Sequence, residues 1–340
     1  INGILECIKN QDYDHNNMEV VLVDGASTDN TRALMCEFAL DNKDEFRRVV
    51  VLDNPKKTLP SGWNVALREY KGDAIIKVDA HAVIPEDFVS KNVRVLETGE
   101  YICGGQRPNI IDKPTPFKET LLLAESSMFG SSIASYRNNP GKTYVKSLFH
   151  AAYRREVFEK VGFFNEELVR TEDNEIHYRM RKAGYKLCFD PDIISYQYTR
   201  SSLKAMLKQK YANGYWIGKT SKVCPKCLSI YHFVPFAFVS AIIASGSVIG
   251  ATGLAECIKK RHNHTLGKGI SALRKVTVVL TTVMWVLYAL MASGMAAVSA
   301  FKAEDKRNIT NACLPVLFLL LHLSYGIGTI AGLMDKSKRG

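Results

Sequence analysis

Acid is what the carboxyl-terminal part of this 340-residue sequence lacks: after residue 200 there are four Asp or Glu against 18 Lys or Arg, whereas residues 1–200 hold 30 acids and 27 bases. The net charge of +11 therefore belongs to the later part alone. A slightly acidic leading part repels nucleic acid, so the basic excess points to anionic lipid headgroups or a lipid-linked phosphate. Regular cysteine spacing is lacking too. Eight cysteines are scattered, which excludes a secreted disulfide framework and reads as reduced thiols on the cytoplasmic side. Cys224-Pro-Lys-Cys227 is half of a zinc-ligand pattern, but no second pair follows at a suitable spacing, and it is read as a connector. No secretory leader is visible, and the sequence opens without methionine in a helix-like INGILECIKN, so it is expected to lack its true beginning.

Long uncharged runs are present, at about 228–255, 276–301 and 308–334, each long enough to cross a bilayer. Between Arg200 and the first run lies SSLKAMLKQKYANGYWIGKTSK, where Leu203, Met206, Leu207 and Tyr211 recur at helical spacing among lysines. Such a helix lies in a membrane interface or packs on the polar head. Three parts are expected: a head over 1–200, an amphipathic interface segment over 201–227, and a membrane region over 228–340. Three crossings would put Lys259, Lys260, Arg261, Lys268, Arg274 and Lys275 outside with the Lys336, Lys338 and Arg339 tail, against the positive-inside tendency. The expectation is therefore a first run that does not cross, re-entrant at Pro235, Gly246, Gly250 and Gly253 or interfacial, followed by two true spans and a cytoplasmic carboxyl terminus, with only Lys302, Lys306 and Arg307 outside.

Over 1–200 the runs EVVLVD (19–24), RRVVVLDN (47–54) and DAIIKVD (73–79) alternate with helix-like segments. Continuous apolar runs of this kind predict parallel strands covered on both faces, an α/β sheet domain with ligands beyond the strand carboxyl ends. Polar residues stand at those ends. In VDGASTDNT, helix capping accounts for Ser27, Thr28 and Asp29 but poorly for Asp24, a strand-end acceptor suited to a uracil imide or a ribose hydroxyl. In AIIKVDAHAVI, Asp79 and His81 at i and i+2 share a face of an extended chain, and together suit a divalent cation with diphosphate oxygens. A surface turn after a short strand is the alternative. In VRTEDNEIHYRMRKAGYKL a helix is predicted from Thr171 or Asp173 as N-cap to a stop at Gly184, and Glu172 and Asp173 serve either the helix dipole or chemistry.

Taken together, the strand-end VD with STDxT, the Asp-Ala-His about 55 residues later and Thr-Glu-Asp about 95 residues after that resemble the family 2 glycosyltransferases of the A-type fold. LPSGWNVALREYKGDAIIKVDAHAVIPEDFV and FHAAYRREVFEKVGFFNEEL are similar to the segments leading into that family's metal motif and acidic pair. The nearest likeness is to bacterial succinoglycan-type exopolysaccharide glucosyltransferases, over about 1–220 and more weakly at HLSYGIG.

The resemblance implies roles residue by residue. Asp24 would contact the base or ribose, Asp79 the ribose and metal, and His81 the metal or diphosphate in place of the second carboxylate. Asp173 would be the general base of an inverting transfer. Glu172, Gln209 and Trp216 would lie on the acceptor side, although QKYANGYW lacks the arginine of the family's QxxRW. The cofactor implied is Mn²⁺ or Mg²⁺, with Mn²⁺ at least as effective because an imidazole replaces a carboxylate. The partners implied are a nucleotide-sugar donor, UDP-linked, a lipid-linked saccharide acceptor and the membrane, and no nucleic acid. The location implied is a bacterial plasma membrane with the catalytic domain cytoplasmic. A processive polysaccharide synthase and a catalytically inactive nucleotide-sugar-binding subunit are the alternatives, the latter because the family's opening strand and Pro-x-x-Asn-Glu turn are missing from the sequence.

Overall fold

The computed structural model describes residues 1–130, 141–261, 267–303 and 308–336. Helix α1 (Asn2–Lys9) leads to β1 (Glu19–Asp24), α2 (Thr31–Asp41), β2 (Arg48–Asp53) and α3 (Leu59–Glu69). β1 and β2 pair in parallel with Asp24 opposite Asp53, so two carboxylates stand level at their carboxyl ends. Alternation along β1 buries Val20 and Leu22 with Leu5, Met35, Phe38 and Phe46.

A second sheet has five strands, in the order β3 (Ala74–Ile76), β8 (Ala152–Arg154), β5 (Ile102–Gln106), β9 (Leu187–Ile194) and β7 (Thr143–Val145). β5 pairs in parallel with β9, but β3, a run expected as a parallel strand, pairs antiparallel with β8, which enters from the opposite end and runs against β5 too, and β7 runs against β9. The sheet is therefore mixed, between helices α4 (Phe88–Glu97), α6 (Arg155–Val161) and α7 (Glu172–Lys182). Its centre, Ile102, Cys103, Tyr153 and Phe189, is at most 1% exposed. At Gly105 a Cβ would meet the Ile193 carbonyl oxygen at 1.9 Å, so the irregular β5–β9 pairing there requires glycine. A small third sheet joins β4 (Ala82–Val83), β10 (Tyr196–Tyr198) and β6 (Asn109–Ile110).

The remaining helices are α5 (Pro116–Ser126), α8 (Leu203–Val223), α9 (Val234–Arg261), α10 (Lys268–Lys302) and α11 (Leu314–Met334). α8 and α11 lie side by side and parallel. A Cβ on Gly214 would sit 2.0 Å from the Tyr325 oxygen and one on Gly218 2.5 Å from that of Thr329, while Gly328 and Gly332 return the approach at 2.2 and 2.0 Å from the Tyr211 and Tyr215 oxygens. Two Gly-x-x-x-Gly steps thus interlock, the small-residue device by which helix backbones come into contact. Ser324 Oγ adds a hydrogen bond, donating to the Leu207 oxygen at 2.7 Å. α5 belongs to this unit, which its position in the sequence did not suggest: Leu121 and Ala124 pack with Met206, Leu314 and Phe318. Thr120 Oγ1 lies 2.6 and 2.7 Å from Thr310 Oγ1 and Asn311 Oδ1.

Three helices are long and apolar enough to cross a membrane, Ile230–Arg261, Lys268–Lys302 and Ile309–Met334. The first does not turn back. α9 runs unbroken for 28 residues, because Pro235 sits in its first turn, where no helical hydrogen bond is lost, and single glycines cost only about 1 kcal/mol each. α9 and α10 form a pair whose near end packs on α11 through Ala292 and Ala296 and whose far end carries the Arg274–Glu256 ion pair. The six basic residues expected inside therefore sit toward the tip, at the end of α9 and along the first turns of α10, where Lys275 and Lys268 lie about 26 and about 36 Å along the helix from Ala292 by helix rise. Lys302, expected outside, ends α10 on the near side, since Asn308 and Thr310 bond to Pro116 and Thr120 of α5. Lys306, Arg307, Lys338 and Arg339 lie outside the described residues.

Gly332→Ala is expected to destabilise the protein by about 1–3 kcal/mol through overpacking. Gly246→Ala, in open space, should be neutral or stabilising. Thermal unfolding of the two variants in detergent checks this, and equal midpoints would show that the interlock yields without cost.

Candidate active site

Asp24 closes the loop after β1. It is 2% exposed, and its Oδ1 and Oδ2 accept from Ser27 N–H at 3.3 and 3.2 Å across a turn that holds Ala26 at φ +58°. The turn thus accounts for more of Asp24 than the sequence suggested. Asp29 accepts from the Thr31 N–H at 3.0 Å, the capping role read for it. Beside Asp24, Asp53 binds the Arg32 guanidinium through both oxygens, at 2.9 and 3.2 Å.

Asp79 and His81 do not share a strand face. β3 ends at Ile76, and residues 79–82 form a turn closed by Ala82 N–H donating to the Asp79 oxygen at 3.0 Å. The paired-face reading fails because the apolar run is too short to hold Asp79 in the sheet, and in the turn the two side chains take different partners. Asp79 points inward, its carboxylate 3.7 Å from His150 Nε2 and its N–H donating to that nitrogen at 3.4 Å. His150 Nδ1 in turn meets Ser195 Oγ at 2.9 Å. Burial works against ionisation of Asp79, but His150 and the charge of Lys77 outweigh it and hold the carboxyl below the usual range. Burial also lowers His150, which is 3% exposed. His81 lies on the exposed side of the turn, where Gln197 of β10 donates to its Nε2 at 3.1 Å. The lone pair that accepts from Gln197 is the one a cation would take.

Lys77 is the residue that the sequence reading passed over. It is 5% exposed, its Nζ is 2.5 Å from Asp173 Oδ1, and the rings of Trp63, Phe164 and Phe149 stand 5.2, 5.7 and 6.0 Å away. Asp173 sits in the first turn of α7, whose N-cap is Thr171. Thr171 makes no capping bond and instead pairs its hydroxyl with Thr220 of α8. Burial raises Asp173, and Lys77 opposes that rise. Glu172 is 4% exposed, and its Oε2 has no hydrogen-bond partner among the described residues. Burial first, and the neighbouring Asp173 second, push Glu172 up to about 8. Beneath them Tyr153 donates to His177 Nε2 at 2.8 Å, and His177 Nδ1 meets Ser147 Oγ at 3.1 Å.

Gln209 and Trp216 lie on α8, Trp216 buried against Tyr215 and Gln209 with its Oε1 unpartnered among the described residues. No described contact joins either to Asp79 or Asp173. The α8 residues that reach the residues just before the acidic pair are Thr220, which pairs with Thr171, and Asn213, which accepts from Arg170 at 3.0 Å. Among the described residues no three His, Cys, Asp or Glu converge as a metal cage. Asp79 and His81 are at most two ligands of a site that a bound phosphate would complete, as is usual where a cation is held with a nucleotide.

Level carboxylates stand at parallel strand ends, with an aspartate on the turn after β3 and two acids at the start of α7. Residues 1–162, just under half of the chain, match the model of Glycosyl transferase family 2. The succinoglycan biosynthesis protein ExoA of Rhizobium meliloti is 30% identical over 203 residues, 58% of this chain and 59% of that protein, so the chain spans under two thirds of this relative's length. A dolichyl N-acetylglucosaminyl phosphate diacetamido-dideoxyglucuronosyltransferase of Methanococcus voltae is 26% identical over 251 residues, 71% of this chain and 76% of that protein. Among solved structures, the mannosyltransferase PcManGT of Pyrobaculum calidifontis, in complex with GDP-Man and Mn²⁺, has a TM-score of 0.56 at 17% identity. It covers 98% of this chain and 83% of its own, so the likeness of fold extends beyond the sheet domain into the helices.

Burial lowers His177 to about 3 from an ordinary 6.5. Its stabilising effect is therefore complete above pH 6.5 and is lost as pH falls toward 3, where only the unfolded chain binds the proton. Thermal midpoints should decline over that window, and His177→Gln should flatten the decline. An unchanged slope in the variant would assign the acid sensitivity elsewhere.

Proposed function

We propose that the chain is an inverting glycosyltransferase that moves a sugar from a uridine diphosphate donor to a lipid-linked saccharide, in surface-polysaccharide assembly at the cytoplasmic face of a bacterial plasma membrane. The observation that carries this reading is Asp173: a half-buried acid in the first turn of α7, held by the buried ammonium of Lys77. Its carboxylate takes the proton of the acceptor hydroxyl while that oxygen forms its bond to the anomeric carbon. The bond from that carbon to the diphosphate breaks on the opposite face, and the nucleoside diphosphate leaves. Asp24, at the end of β1, contacts the nucleoside, and Glu172 lies on the acceptor side. Asp79 and His81 would hold Mn²⁺ or Mg²⁺ with the diphosphate, a cation that supplies neutralisation of the departing negative charge.

The acceptor class draws support from the helical unit and from the relative named for action on a dolichyl phosphate-linked sugar. The cytoplasmic orientation rests on the donor, since nucleotide sugars are made in the cytoplasm. Gln209 and Trp216, without contact to the acids, take part from α8 only if the acceptor reaches that helix.

A panel of labelled nucleotide sugars offered to the chain in native membranes tests the reading. Asp173→Asn should bind donor nearly as well but turn over about 10²–10⁴-fold more slowly. Chelation should stop the reaction, with Mn²⁺ restoring it at least as well as Mg²⁺. Full activity of Asp173→Asn reduces this residue to part of a helix start.

Orientation has its own test in a native thiol. Cys257 is exposed near the tip of the α9–α10 pair. An impermeant maleimide should label it in intact cells, and labelling only after lysis would place the tip on the cytoplasmic side.

A further inference from the structure

Two acids follow one another at the start of α7, and the sequence gives no reason why one and not the other should be the base. We infer that Lys77 makes the choice: it is a positioning residue that pairs with Asp173 alone, and so makes Asp173, and not the adjacent Glu172, the group that accepts the acceptor's proton. This deepens the proposed glycosyl transfer and rests on it.

The geometry is asymmetric. Lys77 Nζ touches Asp173 Oδ1 at 2.5 Å, whereas Glu172 leaves Oε2 buried and unpartnered among the described residues. Glu172 is buried and Asp173 largely so, and a single buried cation stabilises a single negative charge beside it, so the pair holds one proton between them. That proton belongs on the acid without a partner, which leaves Asp173 as the carboxylate. Three rings keep the ammonium in place, since Trp63, Phe164 and Phe149 face it at 5.2, 5.7 and 6.0 Å. The other groups that face Asp173 are Asp79 on the turn after β3, His150, Tyr153 of β8 and Glu172 on its own helix. Among them only Lys77 is a permanent cation in contact with the acid. Removing one partner of a buried ion pair destabilises the fold whatever the role of the pair. What marks a lysine that assigns the base is that its loss also moves the pH at which the reaction begins.

The experiment is the pH profile of kcat/KM, with the donor KM recorded alongside, for the full chain in detergent. Lys77→Met should shift the acidic limb upward by about one unit or more and lose most at neutral pH, so that its deficit narrows as pH rises. Lys77→Arg, which keeps the charge, should hold the limb near that of the unaltered protein. Glu172→Gln, which removes the competing acid, should move the limb downward or leave it, whatever its effect on rate. Should Lys77→Met not fold, the last two variants decide: an upward shift in Glu172→Gln, or one in Lys77→Arg as large as that expected for Lys77→Met, overturns the inference. A uniform loss at every pH in Lys77→Met overturns it also. Full activity in Asp173→Asn would instead sink the assignment of the base itself, a separate result.

Discussion

Burying two acids is costly unless a cation goes in with them, and the head of this protein is arranged around that requirement. Lys77 comes from the end of β3, Asp173 from the start of α7, and the rings that exclude water from α3 and from the segments before β8 and before α7. Removing any one of these would let water reach the ion pair and weaken it, because the same charges interact several-fold more strongly in a low-dielectric setting. The antiparallel insertion of β8 follows from the same requirement, since it brings Tyr153 and the preceding His150 under the acids and beside Asp79.

The acids are also tethered from below. Thr171 spends its hydroxyl on Thr220 and not on its own helix, and Arg170 reaches Asn213, so the start of α7 is fixed to α8. α8 is in turn fixed to α11 at backbone contact distance by four glycines, a contact with no soft side chains to absorb a shift. The path from the apolar helices to the base is therefore short and stiff. Lys219 and Lys222 bonded to Asp335 close its far end. Such a connection suits an enzyme whose acceptor arrives from the membrane, because a displacement of α11 cannot leave α7 where it was.

Much of this was legible in the sequence, and what was not has physical causes. β1 and β2 showed as apolar runs ending in acids, and the α7 helix showed from its start at Thr171 to its stop at Gly184, where φ is +97°. Asp24, Asp79 and Asp173 stand out because acids at the ends of apolar elements are uncommon. Lys77 did not, since a lysine in a short strand reads as an edge residue until its partner 96 positions later is known. The pairing of Asp79 with His81 was misread because period-2 reasoning assumes an extended chain, and three residues of β3 are too few to sustain it. α5 was hidden inside the head by its place in the chain, although its apolar face belongs with α11.

The charge pattern shows why counting along the sequence misjudged the helical region. Basic residues after position 200, Lys302, Lys306 and Arg307 apart, are kept on one side by the positive-inside tendency, which requires the first apolar run not to cross. In space they form two groups. Lys204, Lys208, Lys222 and Lys226 lie beside the head along α8 and its end, and the tip group from Lys259 to Lys275 lies at the other end of the α9–α10 pair. Between Lys275 and Lys302, α10 carries no charge and rises roughly 40 Å, enough to span the hydrocarbon of a bilayer and reach headgroups at both surfaces. Two basic belts around one apolar hairpin satisfy anionic lipid on each side at once, and long lysine and arginine side chains extend toward the interface from just inside it. α11 differs: 39% of its apolar stretch is buried inside the protein, against 6% for each of the other two, because it lies against α5 and α8. Its hydrophobicity is explained in large part by that packing, so the apolar length of α11 says less about crossing than the same length in α9 or α10.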